Sequence, residues 1–369
     1  MSKSISFVNL SQQYQHEKKE ILPIIEKALK SGNYINGSII GRLEKKIEKY
    51  LNVKHCVCLN SGTDALVMAL NAIGVRKNDE VITVSNSFIA SVGSIVHLGA
   101  IPVFVDIDEA LNIDTSEIEK KISSKTKAIM PVHLSGKICN MENLLKIAKK
   151  YKIKVIEDAA QSFGSKYKNK FSGAFGDIGC FSAHPLKNFN AMGDAGFITT
   201  NSSNYAKKIR MLRNHGLETR DNSRYFGFVS RMDNIQGEIL NYRLKNINGI
   251  IKKRRMIAQI YFSQLSGIKK IKLPKEEVYN FNTYHTFVIR CLKRKSLIRF
   301  LSSKGIETKI HYPIPIHKQS ISKKYGFNKI KLKKTEKFAN EILSLPINQY
   351  LKFSEIKYIC KQINYFYSL

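Results

Sequence analysis

The chain has 369 residues, 43% of them hydrophobic, and its 61 basic and 29 acidic residues give a formal net charge of +32. This length exceeds what one compact unit usually needs, so we expect a large domain and a smaller one. The start, MSKSISFVNLSQQYQHEKKE, lacks an apolar signal core, and no apolar run of membrane-spanning length follows. These features predict a soluble, cytoplasmic protein without membrane insertion.

The positive charge raises the alternative of a nucleic-acid-binding protein. The lysines, however, lie at helical spacing or in loops and often beside glutamate, as in KKIEKY and IKLKKTEK. They form no Arg-rich patch interleaved with aromatic residues, and no nucleic-acid-binding motif occurs. We therefore expect no nucleic-acid partner and interpret the lysines as solvated surface, whose field can help to attract an anionic substrate.

The six cysteines are scattered along the chain. Only Cys56 and Cys58 lie close together, as a C-x-C without a second pair at metal-binding spacing. The sequence therefore predicts reduced, mostly buried thiols and no metal site.

The predicted elements alternate after two N-terminal amphipathic helices at 17–31 and 40–51. The apolar segments expected to form strands are 53–59, 79–85, 101–108, 127–134, 154–159, 176–183 and 195–200. The segments expected to form helices between them are 60–75, 88–98, 115–122 and 140–152. Strands that alternate with helices indicate βαβ units, so we predict an α/β fold in which helices cover both faces of a mostly parallel sheet.

The pattern changes after residue 201. A long helical tract covers 232–265, and a strand at 284–291, a helix at 295–305 and a strand at 307–313 follow. These elements predict a small α+β C-terminal domain. We place the large domain at 1–240 and the small domain at 241–369, with the helix after Met232 as a shared hinge.

Polar residues follow several predicted strands, where open α/β sheets bind their ligands. Asn60-Ser61-Gly62-Thr63-Asp64 opens a helix, and Gly62 and Thr63 would suit a phosphate at the helix N-terminus. An ordinary helix cap is an equally good interpretation of this segment alone. Phe88 follows the next strand and either packs in the core or stacks on a flat ring.

A carboxylate and a lysine complete this set. Asp158 ends an apolar strand, where it either caps the next helix or holds a protonated ring nitrogen or a metal ion. Lys187 lies within FSAHPLKNFNAMGDAGF, either as one more solvated charge or as an amine whose pKa is depressed by its apolar flanks. A phosphate site, a stacking ring, a carboxylate for a ring nitrogen and an imine-forming lysine together indicate pyridoxal 5′-phosphate.

The order of motifs resembles the fold-type I nucleotide-sugar aminotransferases of the DegT/DnrJ/StrS family, which depend on pyridoxal 5′-phosphate. The similarity covers nearly the whole chain. Its motifs include NYINGSIIGRLEKKIEKYLNVKH, NSGTDALVMAL, DEVITVSNSFIAS, VIEDAAQSFGS, GDIGCFSAHPLKNFNAMGDAGFITT, LRNHG, SRMDNIQGEIL and IHYPIPIHKQ. The resemblance implies an aspartate-aminotransferase-like three-layer α/β/α large domain.

The resemblance also implies roles for individual residues. Lys187 would be the Schiff-base lysine, and Asp158 would bind the pyridinium nitrogen. The other cofactor contacts would be Gly62, Thr63, Phe88, Gln161 and Ser182. The residues on the sugar side would be His184, His311, Tyr312 and His317.

The resemblance further implies a homodimer with shared active sites, in which residues near Ser230 and Arg231 reach the neighbour's cofactor. The chain departs from the family there, because Val229 replaces the asparagine of Gly-x-Asn-x-Arg and cannot donate a hydrogen bond to the phosphate. The implied reaction moves an amino group from L-glutamate, which leaves as 2-oxoglutarate, to a keto group of a nucleotide-diphosphate sugar. A keto-6-deoxyhexose fits best, in the biosynthesis of amino sugars or surface polysaccharides.

Four alternatives compete with this interpretation, and the last of them fails. A related group of sugar dehydratases carries histidine in place of the lysine, so Lys187 favours transamination over a dehydratase, and an amino-acid transaminase is a further enzyme alternative. A non-catalytic sensor or regulator of the same fold would not need Asp158 and Lys187. A dinucleotide-dependent oxidoreductase would need G-x-G-x-x-G after the first strand, and that motif is absent.

Overall fold

A computed structural model describes residues 4–368 and contains a large seven-stranded sheet. Its strands are β1 (His55–Leu59), β2 (Glu80–Val84), β3 (Ile101–Val105), β4 (Thr126–Ile129), β5 (Lys154–Asp158), β8 (Ile178–Ser182) and β9 (Gly196–Thr200). They are ordered β1-β9-β8-β5-β4-β2-β3. The strands from β8 to β3 are parallel, whereas β9 runs antiparallel to both β8 and β1. The carboxyl ends of all strands except β9 therefore meet at one edge.

Helices cover both faces of this sheet. They are α2 (Ser38–Leu51), α3 (Gly62–Ala72), α4 (Ile89–His97), α5 (Met141–Tyr151), α6 (Ser203–Leu212), α7 (Asn234–Arg243) and the first half of α8 (Ile247–Leu265). Helix α1 (Leu10–Lys30) packs against α7. Alternate residues of β1 show the layering, because Val57 packs with α3 and α6 while Cys56 packs with α2 on the other face. This three-layer arrangement confirms the predicted α/β architecture. All six cysteines are buried free thiols.

A second, antiparallel sheet lies in the C-terminal part. It contains β12 (Ile271–Lys272), β14 (Phe287–Cys291) and β15 (Ile342–Leu345), and it packs with the second half of α8, α9 (Arg294–Ser303) and α11 (Phe353–Ser368). Helix α10 (Lys333–Glu341) immediately precedes β15. The start of the chain also joins this part, since Ile5 pairs with Ile306. We propose the division 1–240 and 241–369, with α8 shared between the two hydrophobic cores.

Two further small sheets lie outside the two main sheets. The hairpin of β6 (Lys166–Tyr167) and β7 (Lys170–Phe171) accepts β13 (Asn280–Phe281) as a third strand. The strands β10 (Leu217–Thr219) and β11 (Asn222–Ser223) form a separate exposed hairpin. No helix in the described range 4–368 is both long and apolar enough to cross a membrane.

Three sequence predictions of elements were wrong in detail. The helix expected at 115–122 is two short 3-10 turns, because a segment with so few apolar residues cannot anchor an α-helix against the core. The strand expected at 307–313 reduces to one bridge between Lys309 and Ser344, since Pro313 has no N–H for a ladder. The first helix begins at Leu10 rather than residue 17, because the Asn9 side chain caps it.

Helix α1 places two polar residues, Gln13 and Glu17, in the core. Glu17 is buried and accepts hydrogen bonds from Arg243 of α7, at 2.6 Å from Nη2 and 3.0 Å from Nε. Arg243 also donates to the backbone carbonyls of Asn190 and Ala191, at 2.8 and 3.1 Å. Gln13 and Asn190 exchange side-chain hydrogen bonds. One buried network therefore joins α1, α7 and the loop between β8 and β9.

We predict that Arg243→Ala lowers the free energy of unfolding by about 3–5 kcal/mol, because it leaves the Glu17 carboxylate buried without its charged partner. The matched control is Arg42→Ala, which removes a solvent-exposed pair with Glu238 and should cost less than about 1 kcal/mol. Urea denaturation followed by circular dichroism measures both. Equal losses in the two variants would contradict the role assigned to the buried pair.

Candidate active site

The residues predicted from the ends of the strands converge at the carboxyl edge of the large sheet. Asp158 is the last residue of β5 and Ser182 the last residue of β8. Gly62 begins α3 just after β1, and Phe88 immediately precedes α4 after β2. Because β5 and β8 are neighbours, this topology places a carboxylate, a helix N-terminus and an aromatic ring around one opening.

The start of α3 packs tightly against the end of β8. A methyl group added at Gly62 would lie 2.6 Å from the Ser182 Cβ, and one added at Gly196 would lie 2.3 Å from the Ser61 carbonyl oxygen. Only glycine fits at both positions. The Ser61 hydroxyl caps α3 by accepting from the Asp64 N–H at 3.1 Å, while the Thr63 side chain is exposed. The helix N-terminus and the Ser182 hydroxyl therefore lie side by side, which suits an anion.

Asp158 is buried, and its carboxylate is oriented by its own chain. The Ser91 hydroxyl donates to Asp158 Oδ2 at 2.6 Å, and the Ala160 N–H donates to Oδ1 at 3.2 Å. Ser87 lies 2.6 Å from Ser91, hydroxyl to hydroxyl. The sequence reasoning missed Ser91, which lies one helical turn after Ser87 in VSNSFIAS. The neighbouring Glu157 points to the other face, where it accepts three backbone N–H groups.

Lys187 lies near Asp158 in a largely desolvated position. Burial penalises the charged ammonium and lowers the pKa of the amine to about 8, although the Asp158 carboxylate opposes this shift. Within the described part of the chain, no hydrogen bond engages its Nζ. Lys187 is therefore not a solvated surface charge, and at neutral pH it holds an appreciable fraction of neutral, nucleophilic amine.

The loop that carries Lys187 is held on both sides of it. The Lys187 N–H donates to the His184 carbonyl at 2.8 Å, which closes a turn. Asn188 donates to the Thr283 carbonyl at 3.2 Å, and Asn190 donates to the Pro185 carbonyl at 2.7 Å. These bonds fix the backbone from which the amine projects.

Gln161, Tyr312 and Phe88 form one wall of the opening. Gln161 donates to the Tyr312 hydroxyl at 3.1 Å and accepts from the Ser135 N–H at 2.8 Å. The Phe88 ring is 56% exposed, with its centroid 6.0 Å from that of Tyr312. Phe88 is therefore not core packing, and its ring is available for stacking.

Two histidines lie close enough to Lys187 to interact electrostatically with it. The pKa of His311 is lowered to about 4, first by burial and then by Lys187 and Lys309. Burial, followed by Lys187, lowers the pKa of His285 well below its usual value. The sequence reasoning missed His285, which lies just before the apolar strand TFVIRC and has no distinguishing pattern around it. Both rings are neutral at neutral pH.

The remaining predicted histidines differ in their surroundings. His184 is exposed at the rim, in the turn that precedes Lys187. His317 is fully buried, with Nδ1 at 2.6 Å from the Ser85 hydroxyl and Nε2 at 3.1 Å from Glu336. Because both ring nitrogens already have partners, the structure does not bring His317 to the opening. It ties the end of β2 to α10.

Residues 227–231, where the chain has Val229 in place of the family's asparagine, are partly exposed. Val229 is 55% exposed, whereas the adjacent Ser230 is fully buried and donates to Asn60 Oδ1 at 3.0 Å. Arg231 donates to Asn214 at 3.1 Å. Ser230 is thus committed to its own chain, next to the turn that precedes Gly62.

We predict that amine labelling of Lys187 in the cofactor-free protein levels off above pH 8, because a lower pKa makes the amine neutral at a lower pH. The internal control is Lys168, whose pKa is raised by its pairing with Glu142, so its labelling should still increase beyond pH 10. Peptide mass spectrometry after brief acetylation measures both residues. Parallel pH profiles for the two lysines would contradict the desolvation of Lys187.

Comparison with known proteins supports the resemblance that the motifs suggested. A model described as "DegT/DnrJ/EryC1/StrS aminotransferase family" matches residues 15–364. The chain is 38% identical to a "Pleiotropic regulatory protein" of Geobacillus stearothermophilus, over 99% of each. It is also 38% identical to the "dTDP-3-amino-3,6-dideoxy-alpha-D-galactopyranose transaminase" of Aneurinibacillus thermoaerophilus, over 98% of this chain and 99% of that one.

A solved structure gives the same result for the fold. The crystal structure of S. venezuelae DesV in complex with a ketimine intermediate superposes with a TM-score of 0.97 at 32% identity, covering 99% of both chains. Sequence and fold thus match over nearly the full length. The chain therefore belongs to the DegT/DnrJ/EryC1/StrS aminotransferase family.

Proposed function

We propose that this protein is a pyridoxal 5′-phosphate-dependent aminotransferase that moves an amino group from L-glutamate to a keto group of a nucleotide-linked sugar. The observation that carries the proposal is the desolvated Lys187 amine beside the buried Asp158 carboxylate, in a chain of this family. Similar curated proteins named as dTDP- and UDP-sugar transaminases support the substrate class.

The residues present fit this cofactor. The tight contact between Gly62 and Ser182 leaves backbone and hydroxyl donors for a phosphate at the start of α3. The exposed ring of Phe88 can cover one face of a pyridine, and Gln161 can meet its hydroxyl group. Asp158 can hold a protonated ring nitrogen, since Ser91 and Ala160 occupy only part of its acceptor capacity.

When bound, pyridoxal phosphate supplies an electron sink that stabilises negative charge developing at the substrate carbon. The protein supplies the proton transfers and the orientation. The neutral Nζ of Lys187 would take the α-proton from glutamate and pass it to the cofactor, and in the second half of the cycle it would carry a proton from the cofactor to the sugar carbon. Asp158, oriented by Ser91, would hold the protonated ring nitrogen. His285 and His311, whose pKa values are lowered by burial and by Lys187, lie near the amine without adding positive charge.

The proposal includes a cytoplasmic homodimer with shared active sites. Apolar side chains are exposed beside the opening, with Phe226 fully exposed and Phe228 and Val229 40% and 55% exposed. Such a patch favours contact with another protein surface.

A second candidate function is that of a non-catalytic protein of the same fold, because the chain is similar to a protein named as a regulator. Such a protein need not exchange an amino group. The intact pair of Lys187 and Asp158 favours catalysis, and the two alternatives differ in their response to glutamate. A dehydratase would likewise not convert the cofactor with glutamate.

We expect the purified protein with added pyridoxal phosphate to be yellow and to convert to the pyridoxamine form with L-glutamate. Borohydride should attach the cofactor covalently to residue 187, as peptide mass spectrometry can show. Lys187→Ala and the charge-matched Lys187→Arg should abolish the conversion by glutamate and the covalent attachment by borohydride, because neither side chain can form the imine. A yellow protein that glutamate leaves unchanged would contradict transamination.

We predict that Val229→Asn lowers the Kd for pyridoxal phosphate about tenfold, because it restores a charge-assisted hydrogen bond worth about 1.5 kcal/mol across the dimer. Val229→Ala is the matched control and should change the Kd by less than about threefold. Absorbance titration measures the Kd, and light scattering checks that the protein is a dimer. An unchanged Kd in a dimeric Val229→Asn variant would mean that another group already contacts the phosphate.

A further inference from the structure

A second cavity of about 630 Å³ lies away from the residues assigned to the active site. One wall is the small sheet of β6, β7 and β13, the opposite wall is α8, and Tyr50 at the end of α2 closes one side. None of the residues predicted to hold cofactor or substrate lines it. Its volume lies within the range of small-molecule sites.

The lining combines aromatic rings with cations. The rings are Tyr50, Phe171 and Phe281, and the cations are Lys166, Lys252 and Arg255. Register fixes this pattern, because Lys166 pairs across the sheet with both Phe171 and Phe281. Within residues 4–368, no carboxylate lines the cavity.

The charges of these three cations are only partly neutralised. Glu276 pairs with Arg255 at 2.6 Å, and Arg255 also lies over the Phe281 ring at 4.2 Å. Lys166 lies over the Phe171 ring at 4.5 Å, and neither it nor Lys252 has a carboxylate partner among the described residues. The cavity therefore offers two uncompensated positive charges beside ring surfaces, of which Phe281 is 37% exposed.

We propose that this cavity is a second binding site, which takes a nucleoside monophosphate. The phosphate would pair with Lys166 and Lys252 on the two walls, and the base would stack on the exposed ring of Phe281. Asn248 and Gln259 supply amides at the rim that can hydrogen-bond to the base. The proposal does not rest on the aminotransferase reaction.

The site is connected to the loop that carries Lys187. Arg255 donates to the Asn282 carbonyl at 2.8 Å, and the next carbonyl, of Thr283, accepts from Asn188 at 3.2 Å. Asn188 directly follows Lys187, and His285 lies two residues after Thr283. A ligand that holds Phe281 and Arg255 would therefore stabilise residues 280–285 beside the active-site lysine.

A fluorescence experiment can test the site in isolation from the active site. The chain contains no tryptophan, and Met256 lines the cavity while remaining 58% exposed. In Met256→Trp the single indole therefore reports on this cavity. We expect uridine 5′-monophosphate to quench it saturably, and inorganic phosphate to compete only at concentrations about tenfold higher or more, because phosphate cannot stack.

Charge-reversal variants in the same background provide the decisive comparison. Lys166→Glu combined with Lys252→Glu should weaken the quenching about tenfold or more, whereas Lys253→Glu, an exposed neighbour that does not line the cavity, should leave it within about threefold. If the double variant does not fold, Lys252→Glu alone should weaken binding at least about threefold. No saturable quenching, equal effects of the Lys252 and Lys253 changes, or equal affinity for phosphate and nucleotide would overturn the proposal.

Discussion

The buried ion pair between Arg243 and Glu17 is the interaction on which the geometry of the site depends. It joins the first helix to α7, and the same guanidinium also donates to the carbonyls of Asn190 and Ala191. A buried pair contributes little net stability when compared with a well-packed apolar core, but it specifies one arrangement of the groups around it. Here the arrangement that it specifies is the path of the loop after Lys187.

At the site, burial changes the pKa of Lys187 more than the neighbouring carboxylate does. Burial disfavours the ammonium form of Lys187, and the carboxylate of Asp158 restores only part of the loss. The neighbouring histidines lose their own protons more readily than free imidazoles do, so they add no repulsion near neutral pH. Buried Arg254 donates to the carbonyls of Tyr284, His285 and Ile347, and so fixes the segment that carries His285 within the C-terminal part of the chain.

The sequence predicted the sheet well because buried parallel strands read as short apolar runs. It also predicted Gly62, Asp158 and Lys187 as one group, because residues that follow such strands must meet at one edge. It could not predict His285 or Ser91, whose positions depend on how distant segments pack rather than on local spacing. For the same reason, the sequence could not show that Ser85 and Glu336 are the partners of the two ring nitrogens of His317.

The reversed direction of β9 has a consequence for how readily the site can act. Because β8 and β9 are antiparallel neighbours, the segment 183–195 that connects them, which carries Lys187, has both of its ends anchored in the same ladder. The Ala183 N–H bonds to the Ala195 carbonyl and the Ala191 N–H to the Ala183 carbonyl, which brace the loop internally. The conformational entropy of this segment is therefore lost during folding, so the Lys187 amine is held in place before any ligand binds.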